Sequence, residues 1–389
     1  LHLSLRRQRQ MCIRDSYCIG EHMRINRIEA YYVDIPYLEP FRIALGTSRM
    51  SRNIVLKIYT DEDYRGLGEA CPSRRITFDT LESSIEALEK LSSKILGKDP
   101  FRIEVFQEIY GSVRGNTSIK AAIDMAIYDL IGKYCGKPVY KIFGGYRDEI
   151  ETDVTIGIKS PHEMAESAKK WVKKGFRKIK IKVGINPAED IERIRMVREA
   201  IGDNVELRID ANQGWSVEDA IKVLNKVEKY DIKFCEQPVL YTDIDGLKKV
   251  KENSPIPIMA DESVHNSRDA LKVIEKDAVD LINIKLMKSG GINEAMRIAH
   301  MCEAAGVPNM IGCMGESKIG ITAAVHTALA FKNIIYYDLD SDLLHREDVV
   351  LEGGASIDNG VRRIPTDIAG YGIHRLRIKM LHPIKIWRL

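Results

Sequence analysis

One repeating unit of the chain lies in residues 205–236, which read VELRIDANQGWSVEDAIKVLNKVEKYDIKFCE. A short apolar strand pattern ends at Asp210, a helical stretch follows, and a second strand pattern ends at Glu236. A strand, a helix and a second strand in this order are typical of a βα unit with parallel strands. The unit therefore predicts a parallel sheet in which strands end on carboxylates.

The same unit recurs through residues 148–340, at intervals of 24 to 28 residues. The eight strand patterns end near Ile158, Lys182, Asp210, Glu236, Ala260, Lys285, Gly312 and Asp338. Eight strands at a nearly constant spacing predict a closed α/β barrel of the TIM type rather than an open sheet.

Four segments flank the predicted barrel. Residues 23–147 show strand patterns followed by helical patterns, which predicts an α+β unit, and residues 341–373 are irregular and are expected to return to that unit. Residues 1–22 are rich in arginine but lack the apolar core of a secretory signal, so we interpret them as a non-native leader. Residues 374–389 carry five lysines and arginines and are interpreted as a basic tail.

Composition excludes several classes of protein. The 389 residues are 44% hydrophobic and 30% charged, as in soluble globular proteins, and no apolar run reaches the roughly 18 residues of a membrane span. The net charge of +3 comes from the two ends, so no basic surface for nucleic acid is predicted. Seven scattered cysteines without CxxC or zinc-type spacing indicate a reducing, cytoplasmic location.

Three carboxylates follow consecutive strand patterns of the barrel. Asp210, Glu236 and Asp261 each come directly after an apolar run. The C-terminal ends of barrel strands surround one mouth, so the three side chains are expected to converge. A single carboxylate there is commonly a helix N-cap, but three at matching depth indicate a metal site. Acidic oxygens with positions left for water and substrate suit Mg²⁺.

Lysines occupy the second and sixth strand patterns. Lys178, Lys180 and Lys182 alternate with isoleucines and therefore share one face of their strand. Lys182 lies nearest to the mouth and is the candidate general base, and the like charge of Lys180 is expected to disfavour its protonation. Lys285 ends a strand on the opposite wall. Two opposed bases can invert a carbon acid, because the proton leaves one face and returns to the other.

Two further carboxylates end the eighth strand pattern. Asp338 and Asp340 share a face and are expected to bind a cation, since other strands already supply the metal ligands. The substrate would then carry an ammonium group in addition to a metal-bound carboxylate. A solvated acidic turn is the alternative interpretation.

These sequence blocks resemble the enolase superfamily, and within it the muconate-lactonizing subgroup. The resemblance covers residues 23–373 and rests on residues 179–184, 210–215, 236–238, 260–263 and 283–288. It implies a modified (β/α)7β barrel with an α+β capping domain formed by the N-terminal segment and the C-terminal end. A lysine base acting with Mg²⁺ is the established pattern of this superfamily, and the resemblance implies it for this chain. Removal of a proton next to a carboxylate creates an enediolate, which Mg²⁺ stabilises.

Residues 312–317, together with Asp338 and Asp340, resemble dipeptide epimerases in particular, including L-Ala-D/L-Glu epimerases. The resemblance implies an isomerase that binds one Mg²⁺ per subunit and inverts the second residue of an L-Ala-L-Xaa dipeptide. It also implies that the two aspartates bind the free amino group and that Met314 contacts the substrate. Family members commonly form symmetric homo-oligomers.

Substrate preference is expected to come from two cap segments, residues 40–52 and 71–80. Relatives that act on L-Ala-L-Glu commonly carry an arginine in the first segment, where this chain has Gly46. Arg49 or another arginine of these segments could replace it, or the pocket takes apolar or other side chains. The sequence leaves these alternatives open.

Two other functions are compatible with the same residues. Muconate cycloisomerisation and o-succinylbenzoate synthesis use such a barrel site on substrates without an ammonium group, so the pair Asp338 and Asp340 discriminates against them. A non-catalytic metal-binding barrel is the third interpretation. Buried lysines on both walls argue against it, because unused buried charge is costly.

Overall fold

The N-terminal part of the chain forms an antiparallel sheet covered by helices. A computed structural model describes residues 23–389, so the predicted leader lies outside the described residues. The sheet contains β1 (Ile25–Ile43), β2 (Gly46–Thr60) and β3 (Arg65–Ala70). The helices that follow are α1 (Leu81–Ile95), α2 (Ile103–Gly111), α3 (Thr117–Tyr134) and α4 (Val139–Phe143).

Local sequence explains where α1 begins. The Thr80 hydroxyl accepts a hydrogen bond from the Ser83 amide at 3.1 Å, and the Ser83 hydroxyl accepts one from the Thr80 amide at 2.9 Å. This reciprocal capping satisfies two amide groups that the first turn of a helix leaves without partners.

Two glycines allow α3 to pack directly on β3. A Cβ at Gly66 would lie 2.0 Å from the Ala126 carbonyl oxygen, and one at Gly68 would lie 1.8 Å from the Ala122 carbonyl oxygen. Any side chain at either position would overlap the helix backbone. The close approach fixes the distance between the sheet and α3, which is almost entirely buried.

The central part of the chain forms an eight-stranded parallel sheet in sequential order. Its strands are β5 (Val154–Ile156), β6 (Lys178–Lys182), β7 (Glu206–Asp210), β8 (Ile232–Glu236), β9 (Ile258–Ala260), β10 (Leu281–Lys285), β11 (Asn309–Gly312) and β12 (Ile334–Asp338). Seven of these strands end at the predicted residue. The first ends at Ile156, two residues before the predicted Ile158.

Helices connect the strands on the outside of the sheet. They are α5 (Pro161–Lys173), α6 (Pro187–Ile201), α7 (Val217–Val227), α8 (Ile244–Glu252), α9 (Ser267–Glu275), α10 (Leu286–Ser289), α11 (Ile292–Ala304) and α12 (Lys318–Ala330). A short 3₁₀ turn, and not a further α-helix, follows β12. A hydrogen bond from the Asp153 amide to the Tyr337 carbonyl at 3.2 Å joins the outer strands. The predicted (β/α)7β barrel is confirmed.

An apolar cluster separate from the main core lies beneath the polar residues of the strand ends. It contains Phe234, Met259, Leu281 and Met310, with Tyr336 packed against it. Because side chains alternate along a strand, residues two or four positions before a strand-end residue point to the same side of the sheet, deeper in the barrel. The cluster therefore forms part of a packed floor beneath the polar mouth.

The last part of the chain returns to the N-terminal sheet. It contains β13 (Val350–Gly353), β14 (Ser356–Asp358), β15 (Val361–Arg363), β16 (Ile373–Leu376) and β17 (His382–Arg388). β13 pairs with β16, and β14 and β15 extend β4 (Glu149–Glu151). β17 pairs with β1, which makes the order of the first sheet β17-β1-β2-β3.

The predicted basic tail is therefore wrong for residues 382–388. Lys385 pairs with Glu89 at 2.8 Å, and the Trp387 indole donates to the same carboxylate at 3.1 Å. The segment IKIW has a strand-like alternation that its surrounding charges obscured. Residues 341–373 contact the N-terminal unit, since the Tyr371 amide donates to Asp129 at 2.8 Å. The sheet itself, however, is completed by β17.

Within residues 23–389, none of the helices has both the length and the apolar character that crossing a membrane requires.

Candidate functional site

The register of the barrel strands brings the predicted residues to one level. Lys182 pairs with Asp210 across β6 and β7, and Asp210 pairs with Glu236 across β7 and β8. On the other wall, Lys285 lies in the same row as the ends of β11 and β12, at Gly312 and Asp338. The C-terminal ends of the strands therefore meet at one mouth, where active sites of such barrels lie.

The three predicted metal ligands form a buried cluster. One carboxylate oxygen each of Asp210, Glu236 and Asp261 lies within 4.8 Å of the other two, and all three side chains are fully buried. Oxygen ligands about 2.0–2.1 Å from one Mg²⁺ ion are necessarily close to one another. Burial raises the pKa of Glu236 to about 8, and the charge of Asp210 adds to the rise. A divalent cation would offset the repulsion between these neighbouring carboxylates. The oxygen donors and their negative charge therefore both fit Mg²⁺.

The two strand-end lysines contact this cluster from different sides. The Lys182 ammonium lies 2.5 Å from Asp210 Oδ2. The Lys285 ammonium lies 2.7 Å from Asp261 Oδ2 and 3.9 Å from Glu236 Oε1. β6 and β10 are four strands apart in the eight-stranded sheet. Both lysines can therefore address a molecule bound at the carboxylate cluster, each from its own wall.

Lys180 connects the carboxylate cluster to the end of β12. Its ammonium contacts Asp338 and lies 3.1 Å from Glu236 Oε2 and 3.9 Å from Asp210 Oδ2. Burial would lower the pKa of Lys180, but these carboxylates outweigh burial and raise it well above its usual range. Lys180 is therefore a charged link between two acidic groups. Its effect on the protonation of Lys182 stays a prediction.

Asp338 and Asp340 form a second buried acidic group. The Thr155 amide donates to Asp340 Oδ2 at 2.5 Å, and the Thr155 hydroxyl donates to Asp338 Oδ1 at 3.2 Å. Ligand atoms of both aspartates and of Cys313 lie within 4.8 Å of one another. Burial, with Asp338 adding to it, raises the pKa of Asp340 to about 6. Crowded negative charge of this kind favours an adjacent cation.

The protonation of Asp338 differs from that of Asp340. Burial would raise the pKa of Asp338, but Lys180 and then Lys285 outweigh burial and lower the pKa to about 2. Asp338 is therefore the more acidic member of the pair and contacts an internal lysine, whereas Asp340 has no lysine among its hydrogen-bond partners within residues 23–389.

Two side chains that orient the cluster received no individual role from the sequence. The Asn283 amide donates to Glu236 Oε1 at 2.6 Å. The Lys288 ammonium donates to the Asp261 carbonyl at 2.5 Å and lies 2.6 Å from Asp261 Oδ1. Burial would raise the pKa of Asp261, but Lys285 and Lys288 together hold it well below its usual range. The signal for Asn283 was its place two residues before Lys285, on the same face of β10.

A buried ion pair supports the floor of the mouth. Arg208, two residues before Asp210, donates to Asp153 Oδ2 at 2.7 Å, and both side chains are fully buried. The guanidinium carbon also lies 5.2 Å from the ring centres of Phe234 and Tyr336. Sequence reasoning missed this pair because Asp153 precedes β5 and has no strand-end signal.

A cavity of about 570 Å³ lies between the barrel mouth and the N-terminal unit, hereafter the cap. Lys182 and Lys285 line it from the barrel, Gly46 and Arg49 line it from the cap, and Met314 lines it from the loop after β11. The structure thus brings these predicted substrate-contacting positions to the same cavity as the two lysines.

The first cap segment lies at the tip of a β-hairpin. Ile43 pairs with Gly46, so residues 40–52 form the tip of the β1–β2 hairpin with a two-residue turn. The ladder shifts register between Pro36 and Phe41 and then continues. Proline lacks a backbone N–H, which fits the interruption of the ladder between Pro36 and Phe41.

Two buried glutamates lie where the cap meets the loop after β11. Glu69 accepts hydrogen bonds from the amide groups of Ser317 at 2.9 Å and Gly320 at 2.8 Å. Burial raises the pKa of Glu69 to about 7 and that of Glu316 to about 7. Glu316 accepts from the Met314 amide at 2.5 Å and thereby fixes the backbone beside the cavity.

Comparison with known families assigns most of the chain. Residues 27–144 match the family described as "Mandelate racemase / muconate lactonizing enzyme, N-terminal domain". Residues 163–375 match the family described as "Enolase C-terminal domain-like". The two matches correspond to the cap and to most of the barrel.

Individual relatives are similar over almost their full length. The L-Ala-D/L-Glu epimerase of Clostridium acetobutylicum is 44% identical over 359 residues, which cover 90% of this chain and 99% of the relative. The hydrophobic dipeptide epimerase of Enterococcus faecalis is 42% identical over 353 residues, with 90% and 99% covered. A crystal structure of the dipeptide epimerase from Enterococcus faecalis V583, complexed with Mg and L-Leu-L-Tyr, superposes with a TM-score of 0.88 at 42% identity. That superposition covers 91% of this chain and 100% of the other.

Proposed function

The chain belongs to the mandelate racemase and muconate lactonizing enzyme family, and on that premise we propose that it is a Mg²⁺-dependent dipeptide epimerase. It is an isomerase that inverts the Cα of the second residue of a dipeptide of the L-Ala-L-Xaa type. Relatives that are 42–44% identical carry epimerase names, and one was crystallised with Mg and a dipeptide.

The observation that carries the proposal is the pair of lysines on opposite walls. Lys182 and Lys285 both flank the carboxylate cluster and both line the cavity. We assign them as the two acid–base residues: one removes the Cα proton from one face, and the other delivers a proton to the opposite face. A single base could exchange the proton but would return it to the same face.

We assign Asp210, Glu236 and Asp261 as the metal ligands, with Lys180 as a buried neighbour that links them to Asp338. When bound, Mg²⁺ supplies electrophilic stabilisation of the negative charge that develops on the substrate carboxylate. The residues of this chain would hold the carboxylate end of the dipeptide at the mouth, beside Lys182 and Lys285.

We assign Asp338 and Asp340 as the site for the free amino group of the substrate. The pair is buried, negatively charged and separate from the metal cluster. An ammonium group at this pair and a carboxylate at the metal would place the second Cα of a dipeptide between them. Met314, Gly46 and Arg49 then lie in the same cavity as the second side chain.

The decisive experiment follows exchange of the Cα proton with solvent. The protein is incubated with Mg²⁺ in D2O with a set of L-Ala-L-Xaa dipeptides, and deuterium at the Cα of Xaa is measured by mass spectrometry. We expect deuterium and the L-Ala-D-Xaa epimer to accumulate together. The Lys182→Ala and Lys285→Ala double variant is expected to show neither.

Lys178→Ala is the matched control, because Lys178 lies on the same face of β6 but bonds to the Glu151 carbonyl at 3.2 Å, away from the mouth. Its rates should equal those of the wild type. Absence of exchange with every dipeptide, in a folded protein that binds Mg²⁺, would contradict the proposal and favour a lactonizing or dehydrating reaction of the same site.

The domain boundaries and the location remain proposals as well. We propose a cap of residues 23–147 and a barrel of residues 148–340, which the family matches at 27–144 and 163–375 support. We also propose a cytoplasmic location and a dipeptide as the main partner, with no nucleic acid. The five cysteines of residues 23–389 are free thiols, in keeping with a reducing compartment.

A further inference from the structure

Arg75 of the cap occupies the space that a side chain at position 46 would fill. A Cβ on Gly46 would lie 2.6 Å from Arg75 Cζ and 2.6 and 2.7 Å from its two terminal nitrogens. Gly46 also has a φ of +134°, which L side chains rarely adopt. The hairpin tip therefore leaves a gap, and the guanidinium of the second cap segment lies in it and lines the cavity.

The turn that carries Arg75 is held by its own hydrogen bonds. The Ser73 amide donates to Thr77 Oγ1 at 3.0 Å, and the Thr77 amide donates to the Ser73 carbonyl at 3.0 Å. Asp79, which is buried, accepts from the Ser118 hydroxyl at 2.6 Å and so fastens the turn to α3. Arg75 is presented from an ordered turn, which lowers the entropic cost of using it to bind a ligand.

Aromatic contacts fasten the same turn to the barrel. The Phe78 ring centre lies 5.6 Å from that of Tyr241 and 5.8 Å from that of His265. Phe78 adopts a φ of +60°, an unfavourable conformation for an aromatic residue. The second cap segment is therefore held above the mouth at two points. Phe78 contacts loops of the barrel, and Asp79 contacts α3.

The charge of the cavity points to the kind of ligand that Arg75 would meet. Among the described residues, the side chains that line the cavity include three arginines and two lysines but no carboxylate. Arg52 lies 3.6 Å from Asp34, whereas Arg49 and Arg75 have no hydrogen bond or ion pair within residues 23–389. The two unpaired guanidinium groups leave the upper cavity positively charged.

We infer that Arg75 determines substrate preference and that the epimerised residue carries an acidic side chain, whose carboxylate Arg75 binds. The inference rests on the proposed function and specifies its substrate class. A carboxylate can accept two parallel hydrogen bonds from one guanidinium. An apolar side chain in the same place would displace water from Arg75 and offer no acceptor in return.

The test compares two dipeptides of nearly equal shape, L-Ala-L-Glu and L-Ala-L-Gln, in the wild type and in Arg75→Met. We expect the wild type to favour the glutamate substrate by about 10- to 100-fold in kcat/KM, as for a hydrogen bond between charged groups. In Arg75→Met the preference should fall to within about threefold. The loss should appear mainly in KM, because the guanidinium lies away from the Cα that reacts.

Arg74→Met is the matched control. Arg74 neighbours Arg75 and is exposed, but it does not line the cavity. This variant should keep the wild-type preference. Arg75→Lys keeps the charge without the fork of donors and should fall between the wild type and Arg75→Met.

The possible outcomes separate this inference from the proposed function. Deuterium exchange with L-Ala-L-Gln or L-Ala-L-Leu at an undiminished rate in wild type and variant, with no preference for glutamate, would overturn the role of Arg75 and leave the epimerase function intact. Exchange with none of the dipeptides would overturn both. An equal loss of the preference for glutamate in Arg74→Met and Arg75→Met would mean that the net positive charge of the segment, and not a contact with Arg75, causes the preference. That result would overturn the assignment to Arg75.

Discussion

The barrel mouth and the cap face the same cavity, but the cationic side chains of the mouth are paired with carboxylates and two arginines of the cap are not. At the mouth, Lys182 and Lys285 are buried and each lies within 2.7 Å of a carboxylate. On the cap, Arg49 and Arg75 are exposed and have no ionic partner within residues 23–389. The buried lysines lie beside the carboxylate cluster, where they can reach the reacting carbon, whereas unpaired charges on a covering segment suit selection of a substrate. Changes in the two regions should therefore affect different kinetic quantities.

The largest expected effect comes from removing one barrel lysine at a time. Each lysine addresses one face of the substrate, so Lys182→Ala should abolish proton exchange from one epimer only, and Lys285→Ala from the other. The loss should be about 10²- to 10⁴-fold, as for removal of a general base. The measurement is loss of the Cα proton signal from L-Ala-L-Glu and from L-Ala-D-Glu in D2O, followed by NMR. Variants of Arg75, by contrast, should change the exchange rates of both epimers alike, so this measurement distinguishes the mouth from the cap.

Two variants that lost exchange from the same epimer would contradict the assignment of one lysine to each face. Lys178→Ala, which removes a lysine from the same strand outside the mouth, should leave both epimers unaffected.

The next effect concerns the acidic pair at the end of β12. Asp340→Asn removes a charge but keeps an oxygen that can accept from the Thr155 amide. It should lower kcat/KM for a dipeptide with a free amino group by about 10- to 100-fold, since a charged hydrogen bond is lost. We expect the N-acetylated dipeptide to be a poorer substrate, and Asp340→Asn should change its kcat/KM by less than about threefold.

The N-acetylated substrate is the internal control, because it carries no ammonium group. A similar loss with both substrates would mean that Asp340 acts on the fold and not on the amino group. That result would also remove the argument against reactions whose substrates have no amine.

A smaller effect is expected from Asn283, which orients one candidate ligand. Asn283→Leu keeps the volume of the side chain but removes the hydrogen bond to Glu236. We expect the affinity for Mg²⁺ to fall by about 10-fold, the lower end of the range for partners of metal ligands. Isothermal titration with Mg²⁺ measures it without reference to turnover. Arg75→Met should leave this affinity unchanged. A fall in both variants would contradict the expectation that Mg²⁺ binding depends on the mouth and not on the cap.

The smallest effect concerns the junction between the two regions. Burial raises the pKa of Glu69 to about 7, above the usual value of 4.5 in the unfolded chain. Between about pH 4.5 and 7 the folded protein therefore binds a proton that the unfolded chain has released. The contribution of Glu69 to the free energy of unfolding falls as pH rises through this window, by at most about 1.4 kcal/mol per pH unit, and levels off above pH 7.

Glu69→Gln should remove this part of the dependence of the free energy of unfolding on pH. The control Glu62→Gln changes an exposed glutamate and should behave like the wild type. Urea unfolding at pH 5, 6, 7 and 8 measures the difference. Parallel curves for wild type and Glu69→Gln would show that Glu69 does not take up the proton on folding.

The same division between regions decides how much the sequence could predict. Strand ends such as Lys182, Asp210 and Lys285 were found because a side-chain period of two and a constant repeat fix both the face and the depth of each residue. Parallel neighbours in a barrel then require those residues to meet. The fold and the positions of the predicted ligands followed from this regularity.

The cap has no such repeat. The gap at Gly46 and its occupation by Arg75 depend on how a hairpin tip and a separate turn meet in space, which no periodicity encodes. The pair formed by Asp153 and Arg208 was missed for the same reason, because one partner lies outside the strand pattern. β17 was missed because its lysines and arginines were interpreted as a solvated tail, although Lys385 pairs with Glu89.

The position of β17 has a consequence for how the chain is made. Arg388 pairs with Arg27, so β17 is synthesised after the whole barrel, whereas its partner β1 is synthesised before it. Until then, the outer edge of β1 presents unpaired amide and carbonyl groups, the kind of edge that other strands can join. The strands of the barrel are synthesised before β17. The outer edge of β1 in the cap therefore stays unpaired until β17 is made. A chain that stops short of residue 382 would therefore leave this edge of β1 open to pairing with other strands.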